Sequence, residues 1–432
     1  FLIFLLFIKI LKNNQRSIII LFSIFFYGFW SPPFTFLILF FFITSYFFLK
    51  WDLSLKVSIP VTLFPLFYFK YSFFLSNFFE IKILADLSYK GDLPLAISFI
   101  TFTAIAILVD VKTKKYEEKI NFYSLSEFLI YFPQLIAGPI LRAKELIPLL
   151  KSKIVFTNAN VKFGILLFMI GFVKKIFFAD SISNFIDPIF EKENLTASQD
   201  YIKGFLLFPL QIYFDFSGYV DMALGVSKIL SIDLPINFNR PYLSSSLTEF
   251  WRNWHITLSK WFRDYVYIPL GGSRYGNKKL FGNLFLTMSI AGLWHGASIN
   301  FILWGSMNGI FLFLEKKMSN HFNFNKLIKI SLTCFLVFNL WIIFRINDLN
   351  FLLIFYSNLY QNFFTIIEIE NLILLALVIF AVFSQKFDNY KYIENISKKI
   401  NFLILIPIFI IVLVTGLAIK AGSSEKFIYF DF

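Results

Sequence analysis

The run LPLAISFITFTAIAILVDV, residues 93–111, decides the fold class. It carries no charge until Asp110, and the charged run KTKKYEEK at 112–119 closes it. A membrane-spanning helix needs about 20 mostly apolar residues, and this stretch has the length and composition of one. The whole chain shares that composition. Of 432 residues, 58% are hydrophobic and only 16% charged, with mean hydropathy +0.70. Soluble domains average about 45–50% apolar and about 25% charged. The expected fold is all-α and polytopic.

Working outward, further apolar runs lie at 17–30, 34–49, 57–69, 161–176, 201–226, 332–344, 372–383 and 402–417. Pro60 and Pro65 shorten the third of these, and Lys174 and Lys175 end the fourth. Residues 280–314 hold one long or two short spans. Residues 125–140 carry Pro133, Gln134, Gly138 and Pro139, which suits a broken or re-entrant element, tolerated at membrane depth only where protein or water covers the backbone. The chain opens on Phe1, so a few preceding residues are expected to be missing, and 1–7 is taken as the remainder of a first helix. The total is about 11 spans plus re-entrant and interfacial pieces, in a single integral domain over 1–432.

The net charge of +13 would suggest nucleic acid in a soluble protein. Here the basic residues cluster between apolar runs, as the positive-inside rule requires of loops, and no nucleic-acid partner is expected. The lone cysteine, Cys334, excludes an intramolecular disulfide framework and a cysteine metal site. No His/Cys/carboxylate set stands at ligand spacing, and no metal is expected.

The polar exception is SLTEFWRNWHITLSKWFRDYVYIPLGGSR, residues 246–274. Ser246 and Glu249 form a capping box that opens a helix. Trp251, Trp254, Leu258, Trp261 and Tyr265 then follow at spacings of three and four, one apolar stripe. Pro269, Gly271 and Gly272 end it. Polar membrane residues concentrate between Gln211 and Asn300, and an ionisable group at bilayer depth costs roughly 2.5–3.5 kcal/mol on insertion scales, so these point to a hydrated functional cavity.

His255 and His295 are the candidates for acid/base chemistry, since a neutral imidazole accepts a proton near neutral pH. His295 lies in GLWHGA, where Gly292 and Gly296 allow close backbone approach. The alternative is a structural histidine bonded to a backbone carbonyl. His321 falls in a polar loop and is expected to be solvated. Asp215, in YFDFSGY, could polarise a base or bind a cation, or simply hydrogen-bond between packed helices. Arg240, Arg252, Arg263 and Arg274 suit either phosphate recognition or a cytoplasmic basic face.

Together these motifs resemble the membrane-bound O-acyltransferase superfamily, and within it the bacterial branch that O-acetylates alginate and peptidoglycan. The resemblance rests on residues 93–111, YFPQLIAGPILR at 131–142, QIYFDFSGYVDMALG at 211–225 and INFNRPY at 236–242. It continues through FWRNWHITLSKWFRDYVYIPLGG at 250–272, GLWHGA at 292–297 and the closing FIYFDF at 427–432. Its reach suggests that little is missing at either end.

The resemblance implies a ring of helices around a thin centre, with a funnel and a tunnel meeting at the catalytic histidine, here His295. His255 falls on the second polar position. Asp215, Ser217, Asn239, Arg252, Trp254, Arg263 and Trp294 complete the expected donor- and substrate-binding set. The implied donor is acetyl-CoA or a similar acyl thioester, a substrate and not a bound cofactor. The implied partner is a secreted or periplasmic SGNH-type acetyltransferase, which passes the acyl group to a polysaccharide beyond the bacterial cytoplasmic (inner) membrane. Peptidoglycan is the favoured acceptor. Alginate, D-alanyl transfer to teichoic acid, an acyl transporter without chemistry and a non-catalytic scaffold are the alternatives.

Overall fold

The computed structural model describes residues 2–135, 138–191, 198–318, 324–361 and 368–420; among these, helix is the regular structure and no strand occurs. The expected positions of His321 and the 427–432 motif lie outside the described residues. The chain forms two compact units, residues 1–165 with 223–235, and residues 166–222 with 236–432.

The first unit contains α1 (Leu2–Ile10), α2 (Gln15–Trp30), α3 (Thr35–Lys50), α4 (Leu55–Leu66), α5 (Ser72–Phe78), α6 (Lys82–Leu87), α7 (Ile97–Lys112), α8 (Phe122–Ile130), α9 (Phe132–Leu135) and α10 (Ala143–Lys151). The deciding run at 93–111 forms α7, one turn later than its first apolar residue. Pro60 and Pro65 do not shorten the next helix as expected. Both sit inside α4, which a wide turn, Phe67–Tyr71, joins to α5. Helix-bound hydroxyls help: Thr62 Oγ1 donates to the Ser58 carbonyl at 2.8 Å.

Over its described residues to Leu135, the broken element expected at 125–140 forms α8 and α9, interrupted at Tyr131. Its freed backbone is satisfied both from a neighbouring helix and from within the element. The Phe132 amide donates to Ser23 Oγ at 3.2 Å, and Gln134 Nε2 donates to the Phe128 carbonyl at 2.8 Å. Glu127, buried on α8, is held by the Arg16 guanidinium at 2.8 and 2.5 Å. The core between these helices is built from Phe4, Ile19, Tyr27, Phe41, Ile107 and Phe128.

Two helices, α11 (Asn158–Val173) and α13 (Ser198–Ile229), contribute to both units; α12 is Asp180–Glu191. The second unit continues with α14 (Leu247–Asn253), α15 (Ile256–Phe262), α16 (Gly276–His295), α17 (Ile299–Met318), α18 (Lys326–Arg345), α19 (Leu349–Gln361), α20 (Ile369–Ser384), α21 (Tyr390–Lys399) and α22 (Phe402–Lys420).

Lys174 and Lys175 do not end a span. The helix runs on through a wide turn, Lys174–Ala179, into α12, and both lysines are buried. Gly171 and Gly218 let α11 and α13 touch, since a Cβ on either would lie 2.5 or 2.7 Å from the other's carbonyl oxygen. At this crossing Lys175 Nζ sits 2.7 Å from both Asp180 and Asp215. Lys174 Nζ lies 2.6 Å from Asp221 and 2.7 Å from Asp388. Tyr213 and Tyr390 donate their hydroxyls to Asp388 and Asp221. Buried charges persist only when paired in this way.

Four helical stretches among the described residues are long and apolar enough to cross a membrane: Pro32–Lys50, Leu55–Phe78, Lys326–Arg345 and Phe402–Lys420. Gln15–Trp30 and Ile369–Ser384 are apolar but shorter. Their outward faces are apolar too; on α22, Leu403, Ile411 and Leu417 are all exposed. Faces of this kind require lipid or another partner. Long helices such as α13 and α16 carry lysines, asparagines and aspartates that lower their hydropathy. These are the helices that carry the polar network and the site described next.

Candidate active site

The 246–274 stretch begins as its capping signal indicates. Ser246 Oγ accepts the Glu249 amide at 3.0 Å. The reciprocal bond is displaced by one residue, because the Glu249 carboxylate takes the Ser245 amide and hydroxyl, each at 2.7 Å. A second carboxylate arrives from α17. Glu315 accepts from the Leu247 amide at 2.5 Å and from Thr248 Oγ1 at 2.5 Å. Negative charge here complements the positive helix end.

The expected continuous helix through Tyr265 is broken. His255 adopts φ 40°, ψ 56°, a left-handed conformation that separates α14 from α15. The neighbouring INFNRP loop holds the break through hydrogen bonds. Asn239 donates its amide to the Asn253 carbonyl at 3.0 Å. Asn237 O accepts the Ile256 amide at 3.0 Å, and its side-chain oxygen takes the Thr257 amide at 3.0 Å and hydroxyl at 2.7 Å. Asn237 thus caps α15 from outside the helix, in the role an N-cap residue normally fills.

The break turns His255 inward. It is fully buried, 4.7 Å from the Phe216 ring and 6.2 Å from Trp294, centroid to centroid. Among the described residues, neither of its ring nitrogens has a hydrogen-bond partner.

His295 ends α16. The α16–α17 hairpin holds it by backbone contact: a Cβ on Gly292 would lie 2.0 Å from the Phe301 carbonyl oxygen, and one on Gly305 would lie 2.1 Å from that of Met288. Gly305 and Gly309 form the small-xxx-small pattern of close membrane helix pairs. Around the imidazole stand Trp294 at 4.8 Å, Trp304 at 5.2 Å and Phe344 at 5.2 Å.

His295 also lines a cavity of about 770 Å³ within the second unit. One wall is the α16 face Leu280, Leu284, Thr287, Met288, Ala291 and His295. At 1.5 Å per residue this face runs about 22 Å. The facing walls bring Trp251, Arg252, Lys260 and Arg263 from the 246–274 stretch, and Trp304, Glu315 and Lys316 from α17. These basic residues are exposed. Asp264 binds Arg263 Nε at 2.7 Å; this hydrogen bond, then the carboxylate charge, raise the guanidinium pKa further.

The structure therefore brings His295, Arg252 and Arg263 to one cavity, with Trp294 against His295 and His255 against Trp294. Four expected residues lie elsewhere. Asp215 is ion-paired with Lys175. Ser217 is buried on α13, away from the cavity lining. Asn239 bonds the Asn253 carbonyl and the Arg240 side chain. Trp254 stacks on Phe250 at 5.6 Å in an aromatic core with Tyr213, Phe238 and Trp341. Thr248, Trp251, Lys260, Trp304, Glu315 and Lys316 line the cavity but were not in the expected set. Glu315 had a signal: it is the only carboxylate in the α17 sequence.

A family model, the membrane-bound O-acyltransferase family, matches residues 17–357. The chain belongs to this family. It is accordingly a polytopic membrane protein, and the acyltransferase family implies an acyl donor. A peptidoglycan O-acetyltransferase of Helicobacter pylori is 36% identical over 77% of this chain and 71% of its own. A probable alginate O-acetylase of Pseudomonas putida is 42% identical over 60% of this chain and 53% of its own. A teichoic acid D-alanyltransferase of Bacillus subtilis is 29% identical over 51% of this chain and 60% of its own. The chain spans about half the length of the alginate O-acetylases it matches.

Proposed function

We propose that this protein is an O-acetyltransferase of the bacterial cytoplasmic membrane, acting as one integral domain. It takes acetyl from a cytoplasmic thioester and passes it on for O-acetylation of a cell-envelope polysaccharide. The observation that carries the reading is the cavity with His295 in its lining and Arg252, Lys260, Arg263 and Lys316 around it. A long wall with a base along it and a cationic rim suits a donor whose reactive thioester stands far from its anionic groups. Acetyl-CoA has that form, and guanidinium forks match its phosphates.

In the proposed reaction His295 takes the proton of an acceptor hydroxyl. The hydroxyl oxygen attacks the thioester carbonyl, the C–S bond breaks, and the leaving thiolate recovers the proton from the imidazolium. His255 supports the site through Trp294, which stands between the two histidines. An SGNH-type partner outside the membrane completes delivery to the polymer.

Peptidoglycan is the favoured acceptor, because the relative of that name matches the larger share of the chain. Alginate is the second reading, favoured by the higher identity of the alginate O-acetylases. Mass spectrometry of wall fragments and exopolysaccharide from a deletion strain decides between them. Loss of acetyl groups from muropeptides, restored by the gene, is expected. Unchanged acetylation of both polymers overturns the proposal.

A further inference from the structure

We infer that Trp304 sets the length of the acyl group this protein transfers, an inference that rests on the proposed acyl transfer at His295. Trp294, Trp304 and Phe344 stand against the His295 imidazole, and of these Trp304 is the one that also lines the cavity. Its ring meets the imidazole edge-on, at 5.2 Å and 89°. An acyl carbonyl presented to His295 therefore has the indole as its neighbour.

That wall is rigid. Trp304 is 1% exposed and stacks on Trp341 at 5.8 Å and 21°. Trp251 meets it edge-on at 5.6 Å, and Phe344 at 5.2 Å. The backbone is fixed as well. Asn308 accepts from Trp251 Nε1 at 3.1 Å and donates to the Trp304 carbonyl at 2.8 Å. Gly305, the next residue, is in backbone contact with Met288. A flexible side chain here would yield to a longer chain, whereas a stacked indole in a close-packed interior does not. A two-carbon acyl group needs no room beyond the imidazole. In a donor that reaches His295 along the cavity, methylenes added beyond the carbonyl would meet the Trp304 indole.

Removing the indole opens that volume toward Trp341 and Phe344. A buried apolar cavity of about 150 Å³ accepts a benzene-sized guest, so several methylenes gain room. One methylene in an apolar pocket changes kcat/KM by roughly 10–200-fold.

The test compares acetyl-, butyryl- and hexanoyl-CoA with purified wild type, Trp304→Leu and Trp304→Ala in detergent, reading CoA thiol release and the acylated acceptor. Wild type is expected to prefer acetyl. The butyryl-to-acetyl ratio of kcat/KM should rise about 10-fold or more in Trp304→Ala, with Trp304→Leu between. A ratio is independent of how much folded enzyme each preparation holds. If Trp304→Ala is inactive with every donor, the ratio is read on Trp304→Leu. An unchanged ratio in a variant that turns over acetyl-CoA overturns the inference while leaving the proposed function intact. Equal wild-type turnover of all three donors overturns it too. A His295→Ala enzyme with wild-type turnover would instead sink the underlying acyl-transfer reading.

Discussion

Substituting Gly292 by alanine tests whether the α16–α17 contact positions His295. The new Cβ would lie 2.0 Å from the Phe301 carbonyl oxygen and 3.2 Å from Gly305 Cα. A carbon–oxygen contact settles at about 3.3–3.6 Å, so the two helices must part by more than 1 Å, roughly. Overpacking of this kind costs about 1–3 kcal/mol. His295 lies one turn along the same helix, and about 1 Å of misplacement at a reacting group costs on the order of 10²-fold in rate. Gly282 supplies the control. It is on the same helix, and a Cβ there meets nothing within 4 Å. Gly282→Ala should stabilise by about 0.4–1 kcal/mol by restricting the unfolded chain. Thermal unfolding in detergent and donor turnover are measured on both. Gly292→Ala with wild-type melting and turnover would refute the reasoning, as would equal damage from Gly282→Ala.

Three other substitutions probe the supports of the site. Lys175→Met leaves Asp180 and Asp215 facing each other without their shared cation; it should destabilise by about 3–5 kcal/mol, and Asp215→Asn in the same chain should recover part of that in a double-mutant cycle. Asn237→Ala removes the acceptor for the Thr257 amide and hydroxyl; a loss of about 0.5–2 kcal/mol in unfolding free energy is expected, with lower turnover because the His255 break keeps only its backbone bonds. Glu315→Gln keeps the shape of the α14 cap but removes its charge, for a loss of about 1 kcal/mol in the same measurement.

Much of the fold was legible because apolar runs are long and local. The run at 93–111 enters α7 from Ile97 on, and the prolines at 133 and 139 with Gln134 signalled the break between α8 and α9. What stayed hidden depends on partners distant in sequence. Lys174 and Lys175 look like the basic end of a span until Asp215, Asp221 and Asp388 are seen to neutralise them. The stripe from Trp251 to Tyr265 has helical spacing throughout, yet Asn237, eighteen residues before His255, caps a second helix and breaks the first. Trp254 and Trp251, three residues apart, also part ways: one enters an aromatic core and the other lines the cavity. His295 stood out because of its flanking glycines, and the reason for them is Phe301, whose carbonyl oxygen crowds Gly292 and whose ring crowds Gly296. Trp304 carried no comparable mark, since one tryptophan in an apolar helix looks like any other packing residue.

The most direct test of the central claim is acyl transfer by purified His295→Ala. The protein is compared with wild type in detergent for release of thiol from acetyl-CoA, with monodispersity and melting temperature checked on both. The account predicts that the variant folds and melts like wild type but loses turnover by about 10²-fold or more, the contribution of a positioned general base. A well-folded His295→Ala that cleaves the thioester at the wild-type rate would contradict it, and so would a wild-type protein that releases no thiol at all.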